Sequence, residues 1–545
     1  MTITDCGRRE IAIAACDAWV RSGTHGKGIL LQPVLRRELF GGAGAAAMAW
    51  FGPRPARAAD PAGKAATRPA PGPFDGATVR RLAQALAKHP YQAPDTRLPK
   101  AIDHLDFDQY RGIRFQKERA LWRGQHLGFQ VEFLPRGFLY RPRIDIFEVA
   151  GGHAERVGYD PDLFSYEDQA LRVTDDLGFA GFRIHAPLNS PDYLDEVCVF
   201  QGASYFRAVA KGQNYGLSAR GFASGTGSPK GEEFPLFSAF WLERPQPGST
   251  AIVVHALLDS PSVAGAFRFT IRPGEKTVFD VESVLYPRRD LPEAGVAPLT
   301  GMFYFDANDR SRVDDWRPAA HDSEGLSMWT GKGEQLWRPL VNPINLQFSA
   351  LTDSSTHGFG LMQRKRSFDD FQDLALRYEK RPSLWIEPIG DWGEGAVDLV
   401  ELPTPNEVND NIVAFWRPKD VLKASGEYAY TYRMHWGWDN PFPTRLARVA
   451  QTRIGATDDH KGRIVAIDFT GDAVRQLPQD AKLHADIGAS AGSVKNVVVE
   501  PNGEIHGWRI IFQFDPAGAG AAELHCVLAS DTEPLSETWL YRWTR

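Results

Sequence analysis

Cysteine is scarce, with four in 545 residues. That excludes a disulfide-stapled scaffold and a cysteine-rich zinc module. An excess of either charge is also missing: 62 Lys+Arg stand against 68 Asp+Glu, a formal net charge of −6. Without a global basic field, nucleic acid is excluded as a main partner. No apolar run approaches the ~20 residues that a helix needs to span a bilayer. The 14 histidines contain no H-x3-H or HExxH pairing, so no metal site is expected. No cofactor-binding pattern stands out either. Gly225-Thr226-Gly227-Ser228-Pro229-Lys230-Gly231 lacks the spacing of a phosphate-binding loop and reads as a surface loop.

What is present is a soluble globular composition, 43% hydrophobic and 24% charged. The length calls for two or more domains, because single cores stop growing near ~250–300 residues. With 51 Gly, 38 Pro and 11% aromatics, the chain fits a turn-rich β fold.

Residues 1–58 read as an N-terminal extension and an export signal. Arg36-Arg37 precede the uncharged run Gly41 to Gly52, and Ala56-Arg57-Ala58 is a small-residue cleavage signal. The paired arginines point to twin-arginine export. Translation starting near residue 31 would place the signal at the terminus and remove Cys6 and Cys16. Cys198 and Cys526 would then remain, as buried thiols or as one disulfide, with thiols favoured.

Residues 59–74 form a flexible leader rich in Ala, Pro and Gly. Asp75 is expected to cap a helix over 77–88, with Val79, Leu82 and Leu86 on one face. Further helices are expected near 106–116 and 369–378. From about residue 125 the period becomes two, as in Phe129-Gln130-Val131-Glu132-Phe133 and Thr277-Val278-Phe279-Asp280-Val281. More strands are expected at 144–149, 251–258, 266–271, 346–350, 358–363, 396–401, 412–416 and 427–434. Many strands without alternating helices predict a large two-sheet sandwich over 75–440. After a break at 436–444, about seven strands over 445–545 have the size of an immunoglobulin-like sandwich.

Gly488-Ala489-Ser490-Ala491-Gly492 matches a nucleophile elbow but lacks a following helix pattern, so a small-residue loop explains it better. Three irregular segments instead place carboxylates beside aromatics. They are His321-Asp322-Ser323-Glu324 with Trp329, Gln372-Asp373 with Tyr378 to Glu387, and Glu407-Val408-Asn409-Asp410-Asn411. Flat aromatic faces suit pyranose rings, and carboxylates accept hydroxyl hydrogen bonds or serve as acid and base.

Several strings together resemble one family. They include Leu177-Gly178-Phe179-Ala180-Gly181-Phe182-Arg183, Gly202-Ala203-Ser204-Tyr205-Phe206-Arg207-Ala208, Tyr215-Gly216-Leu217-Ser218-Ala219-Arg220-Gly221, Glu233-Phe234-Pro235, Arg381-Pro382-Ser383-Leu384-Trp385 and Ser536-Glu537-Thr538-Trp539-Leu540-Tyr541. Over residues 75 to 545 the chain resembles the periplasmic glucans biosynthesis proteins, OpgG and OpgD. The twin-arginine signal favours the D branch, since the G branch resembles Sec-exported proteins.

The resemblance implies an all-β fold: a galactose-mutarotase-like β-sandwich followed by a small immunoglobulin-like one. It implies a periplasmic location and action on β-1,2-linked glucan, by inverting hydrolysis or by transglycosylation, possible also as α-1,6-cyclisation. A non-catalytic glucan scaffold is the alternative. Asp410 inherits the general-acid position, although Asn409 replaces the leucine of that family string. Asp322 inherits the base side. Asp373, Tyr378, Arg381 and Glu407 fall at cleft positions for substrate binding or proton relay, and Asp410 is expected to have a raised pKa, through burial or through Glu407. No cofactor is implied, and the resemblance allows a homodimer.

Overall fold

The structure is a computed structural model that describes residues 69–545. The export signal, the first part of the leader, Cys6 and Cys16 lie outside the described residues. The described chain is an all-β sandwich, as the period-two pattern requires. One sheet has fifteen strands and the facing sheet ten.

The centre of the larger sheet is an antiparallel run of Ile252–Asp259, Val263–Arg272 and Thr277–Pro287, which pairs onward with Tyr428–Gly437 and Ser383–Ile389. Alternation sends Phe269, Phe279 and Val281 inward. They meet Phe200 and Phe206 from Asp195–Gln201 and Tyr205–Ala208 of the smaller sheet. Phe200 and Phe206 stand edge-on to Phe269 at 5.4 and 5.2 Å between ring centres. Such pairs add about 0.5–1.5 kcal/mol each beyond their burial.

The same alternation turns Arg207, Ser218 and Arg220 to the opposite face of the ten-stranded sheet, since Phe206, Leu217 and Ala219 fill the core. Those polar residues are nonetheless buried, because irregular segments cover that face.

The C-terminal strands do not stand apart. Arg448–Ala456, Arg463–Thr470, Gly507–Asp515 and Ser493–Asn502 make a four-stranded sheet. Opposite it, His484–Ala489, Ala521–Ala529 and Thr538–Thr544 continue the fifteen-stranded sheet. The join is a parallel pairing of Leu336 with Thr538 and Trp337 with Trp539. Trp337, Met362 and Trp385 share a core with Phe512 and Trp539.

Three helix expectations need correction. The first helix is Thr78–Ala87, and its N-cap is Ala77 rather than Asp75. Asp75 instead accepts from the Ala77 amide at 3.0 Å and the Thr78 hydroxyl at 2.8 Å, closing a turn before the helix. Near 106–116 only Phe107–Arg111 is helical, behind a capping box of Asp106 and Gln109. Ile113–Phe115 is a strand paired with Phe164–Tyr166. Residues 369–378 form no α-helix. Two 3-10 turns, Phe368–Asp370 and Tyr378–Lys380, flank a turn in which Asp373 accepts from the Ala375 and Leu376 amides at 2.9 and 2.8 Å.

The elbow-like string lies at the end of His484–Ala489 and leads into the strand Ser493–Asn502, so no helix follows it. Cys198 and Cys526 are buried free thiols, and burial pushes both thiol pKa values up.

Candidate active site

Asp322 and Asp410 hang from one short piece of backbone. The strand Ala294–Gly301 ends beside them. The Asn411 amide donates to Gly301 O at 3.0 Å, while Asn411 Oδ1 accepts from the Phe303 amide at 2.8 Å. Asn411 Nδ2 closes the loop by donating to Leu402 O at 2.9 Å. Asp410 is thereby fixed at the start of Ile412–Pro418. Between those two bonds, the Asp322 amide donates to Met302 O at 2.8 Å. Both carboxyl side chains are almost wholly buried, at 1% exposure for Asp322 and 7% for Asp410.

Each carboxylate has an arginine. Asp322 is ion-paired with Arg381, whose guanidinium lies 4.3 Å from the centre of the Tyr378 ring. Asp410 Oδ2 is 3.7 Å from Arg207 Nη2, and Arg207 Nε donates to Ser218 Oγ at 2.6 Å. The short strand Ser218–Arg220 connects the two halves. Its leading Gly216 lies so close to Arg381 that a Cβ there would meet Arg381 Cβ at 2.8 Å. Arg220, at its end, donates through Nε to Thr300 Oγ1 at 2.7 Å, pairs with Glu232 and stacks over Tyr205 at 4.9 Å. Burial pushes the Tyr205 phenol pKa upward, and the Asp410 charge adds to that shift.

A second cluster is centred on Arg317. It donates to Asp373 Oδ2 at 3.0 Å and to Asp315 at 2.8 and 3.0 Å, and it is ion-paired with Glu407. Burial works against the Arg317 charge, but the hydrogen bonds to Asp315 and Glu407 outweigh it and raise its pKa, with the Tyr378 phenol contributing. Tyr378 is common to both clusters, with its ring against Arg381 and its phenol contributing to the raised pKa of Arg317.

The six residues expected from sequence therefore fall into three contact groups: Asp322 with Arg381 and Tyr378, Asp410 with Arg207, and Asp373 with Glu407 on Arg317. Glu407, expected to lend Asp410 a negative neighbour, is ion-paired with Arg317, while Arg207 stands beside Asp410. Sequence reasoning gave no role to Arg207, Arg220 or Arg317. The available signal for Arg207 and Arg220 was their place one residue after the core residues Phe206 and Ala219 in period-two strands. Below Asp322, His321 stacks on Phe303 at 5.5 Å and lies 3.5 Å from Asp306, which also pairs with Lys365. Among the described residues no group of His, Cys, Asp and Glu is arranged to hold a metal ion.

A profile described as "Periplasmic glucan biosynthesis protein, MdoG" matches residues 74–543. The chain belongs to this periplasmic glucan biosynthesis family. Among its relatives is a glucans biosynthesis protein G of Rhodopseudomonas palustris (strain BisA53), 57% identical over 475 residues, covering 87% of this chain and 94% of the relative. A protein of the same name from Bradyrhizobium diazoefficiens is 53% identical over 511 residues, covering 93% and 99%. One from Vibrio cholerae is 48% identical over 480 residues, covering 87% of each. The family match spans both carboxylates and Arg207, Arg317 and Arg381. No helix among the described residues is long and apolar enough to cross a membrane.

Proposed function

We propose that this member of the periplasmic glucan biosynthesis family is a periplasmic enzyme that cuts internal β-1,2-glucosidic bonds with inversion. Asp410 is the general acid and Asp322 the base-side carboxylate. The observation that carries the reading is the suspension of two buried carboxylates from the single Gly301–Phe303 segment, each steered by its own arginine. An inverting pair needs one carboxyl to protonate the leaving oxygen and another to draw a proton from the attacking group, usually across ~6.5–9.5 Å. A longer path is allowed where hydroxyls relay the proton within hydrogen-bond reach. In this reading Tyr378, whose ring lies against Arg381, orders such a hydroxyl. On the same reading Asp373 and Glu407, both paired with Arg317, bind the substrate or relay its proton. The acceptor is water, giving hydrolysis, or a glucan hydroxyl, giving transglycosylation and, with the chain's own 6-hydroxyl, an α-1,6-closed ring.

A second reading is a non-catalytic glucan-binding scaffold. It is favoured by one observation: Asp410 stands beside the cation Arg207, and a guanidinium favours the ionised carboxylate over a proton donor. The twin-arginine string supports the D branch, whereas the relatives named above carry the name of the G branch.

Asp410→Asn and Asp322→Asn separate the two readings. The enzyme loses turnover of linear β-1,2-glucan by roughly 10²-fold or more, as expected for removal of a general acid or base, and keeps most of its affinity. Unchanged behaviour of both variants contradicts catalysis and leaves the scaffold.

A further inference from the structure

The face of the fifteen-stranded sheet turned away from the ten-stranded one carries a cavity of about 360 Å³, lined by Trp329, Glu387, Asp391 and Phe442. That volume falls within the ~300–1,000 Å³ of small-ligand sites. Alternation creates it. Leu326 and Met328 enter the core, so Trp329 faces outward at the end of Gly325–Trp329. Leu384 and Ile386 do the same in Ser383–Ile389, leaving Glu387 outward. Asp322 and Arg381 precede the opposite ends of these two strands. At ~3.3 Å per residue the cavity stands on the order of 20 Å from that pair.

Its walls are chemically mixed. Trp329 packs against His357 at 4.8 Å and Phe442 at 5.9 Å between ring centres. Glu387 Oε2 is 2.9 Å from His435 Nε2, and burial pushes that imidazole's pKa down. Asp391 Oδ1 accepts from Ser355 Oγ at 2.9 Å and the Gly393 amide at 2.8 Å. Among the described residues, no hydrogen bond occupies Glu387 Oε1 or Asp391 Oδ2. The cavity therefore offers an aromatic wall, two carboxylate acceptors and a hydroxyl fixed in place.

We infer that this cavity is a second, non-catalytic binding site for a neutral glycosyl unit of the glucan. The inference rests on the reading of the chain as a glucan-handling protein. The indole takes the C–H face of a pyranose, and the two carboxylates accept its hydroxyls. The same carboxylates repel anionic ligands, so a phosphorylated sugar is excluded. Occupying this site together with the cleft raises the effective concentration of a long chain at the cleft.

The test is fluorine NMR of the whole protein labelled with fluorotryptophan, with the Trp329 resonance assigned through Trp329→Phe. Linear β-1,2-gluco-oligosaccharide is titrated into the Asp410→Asn protein, so that nothing is turned over. The Trp329 resonance is expected to move saturably. In the isosteric double variant Glu387→Gln, Asp391→Asn the midpoint is expected to weaken by about tenfold, the loss of one or two hydrogen bonds to charged acceptors. Glucose 6-phosphate is expected to leave the resonance in place. Movement of other tryptophan resonances with a stationary Trp329 overturns the second site and leaves the cleft reading intact. Silence of every resonance overturns both. An equal response to the phosphorylated sugar overturns the selectivity for neutral units.

Discussion

Arg317 holds Asp315, Asp373 and Glu407 together. Replacing it with methionine keeps most of its stem but leaves three carboxylates without their cation. Breaking a buried ion pair costs about 3–5 kcal/mol, and urea unfolding of Arg317→Met is expected to show a loss of that order. A loss below about 1 kcal/mol would mark the network as a solvated surface feature instead. Acid should attack the same kind of contact. Hydrogen bonds from Arg317 hold Asp315 below its ordinary 3.8. At Asp468 burial raises the pKa, but Arg509, Asn502 and Arg453 outweigh it and lower the value. Both folded pKa values lie below the unfolded one, so the unfolded chain binds protons first as pH falls. The stabilisation is full above about pH 4 and is lost as pH drops through the lower folded values. Thermal unfolding between about pH 7 and about pH 3 should move to lower temperature, with a flatter slope in Asp468→Asn; equal slopes would refute the assignment. Of the six site residues read from sequence, none revealed its partner, because Arg207, Arg317 and Arg381 reach their carboxylates across long chain separations that no local spacing encodes.

Strands were legible where one face is buried and the other polar. Thr277–Pro287 declares itself through the alternation of Thr277, Phe279 and Val281 with Val278, Asp280 and Glu282, and Ile412–Pro418 instead through a continuous apolar run. The segment 367–381 was not legible, because nearby amides and Arg317 donate to Asp373 rather than to the carbonyls of a helix. The join between Gln335–Pro339 and Thr538–Thr544 was invisible for a related reason: parallel pairing across two hundred residues leaves no turn signal. Short strands beside the site carry a specific prediction. At Gly216 a new Cβ would press on Arg381 Cβ, the rigid start of that side chain. Gly216→Ala should cost about 1–3 kcal/mol through overpacking. Because Arg381 orients Asp322, turnover is expected to fall by more than the stability loss accounts for at working temperature. Full activity with a lowered Tm would place Arg381 outside the reaction.

The fifteen-stranded sheet makes the molecule a continuous body from the first strands to the last. Arg364 fastens the join: it pairs with Glu537 at 2.5 Å, lies 3.6 Å from the Trp337 ring centre and donates to Val449 O at 2.9 Å. Glu537 in turn accepts from the Val449 amide at 2.7 Å. Calorimetry of residues 59–545 is expected to give one cooperative transition, and Glu537→Ala should lower it as a whole, by about 3–5 kcal/mol. Two separate transitions, with only one shifted, would mean that the C-terminal strands fold independently. Such a body can hold Asp322 and Asp410 in fixed relation. The most direct measurement is mass spectrometry of the products from linear β-1,2-glucan, with Asp410→Asn beside the unaltered protein. Shorter linear glucans, or rings lacking one water and a reducing end, formed only by the unaltered protein, are the predicted result. An unchanged glucan from a folded protein that still binds it would contradict the catalytic account.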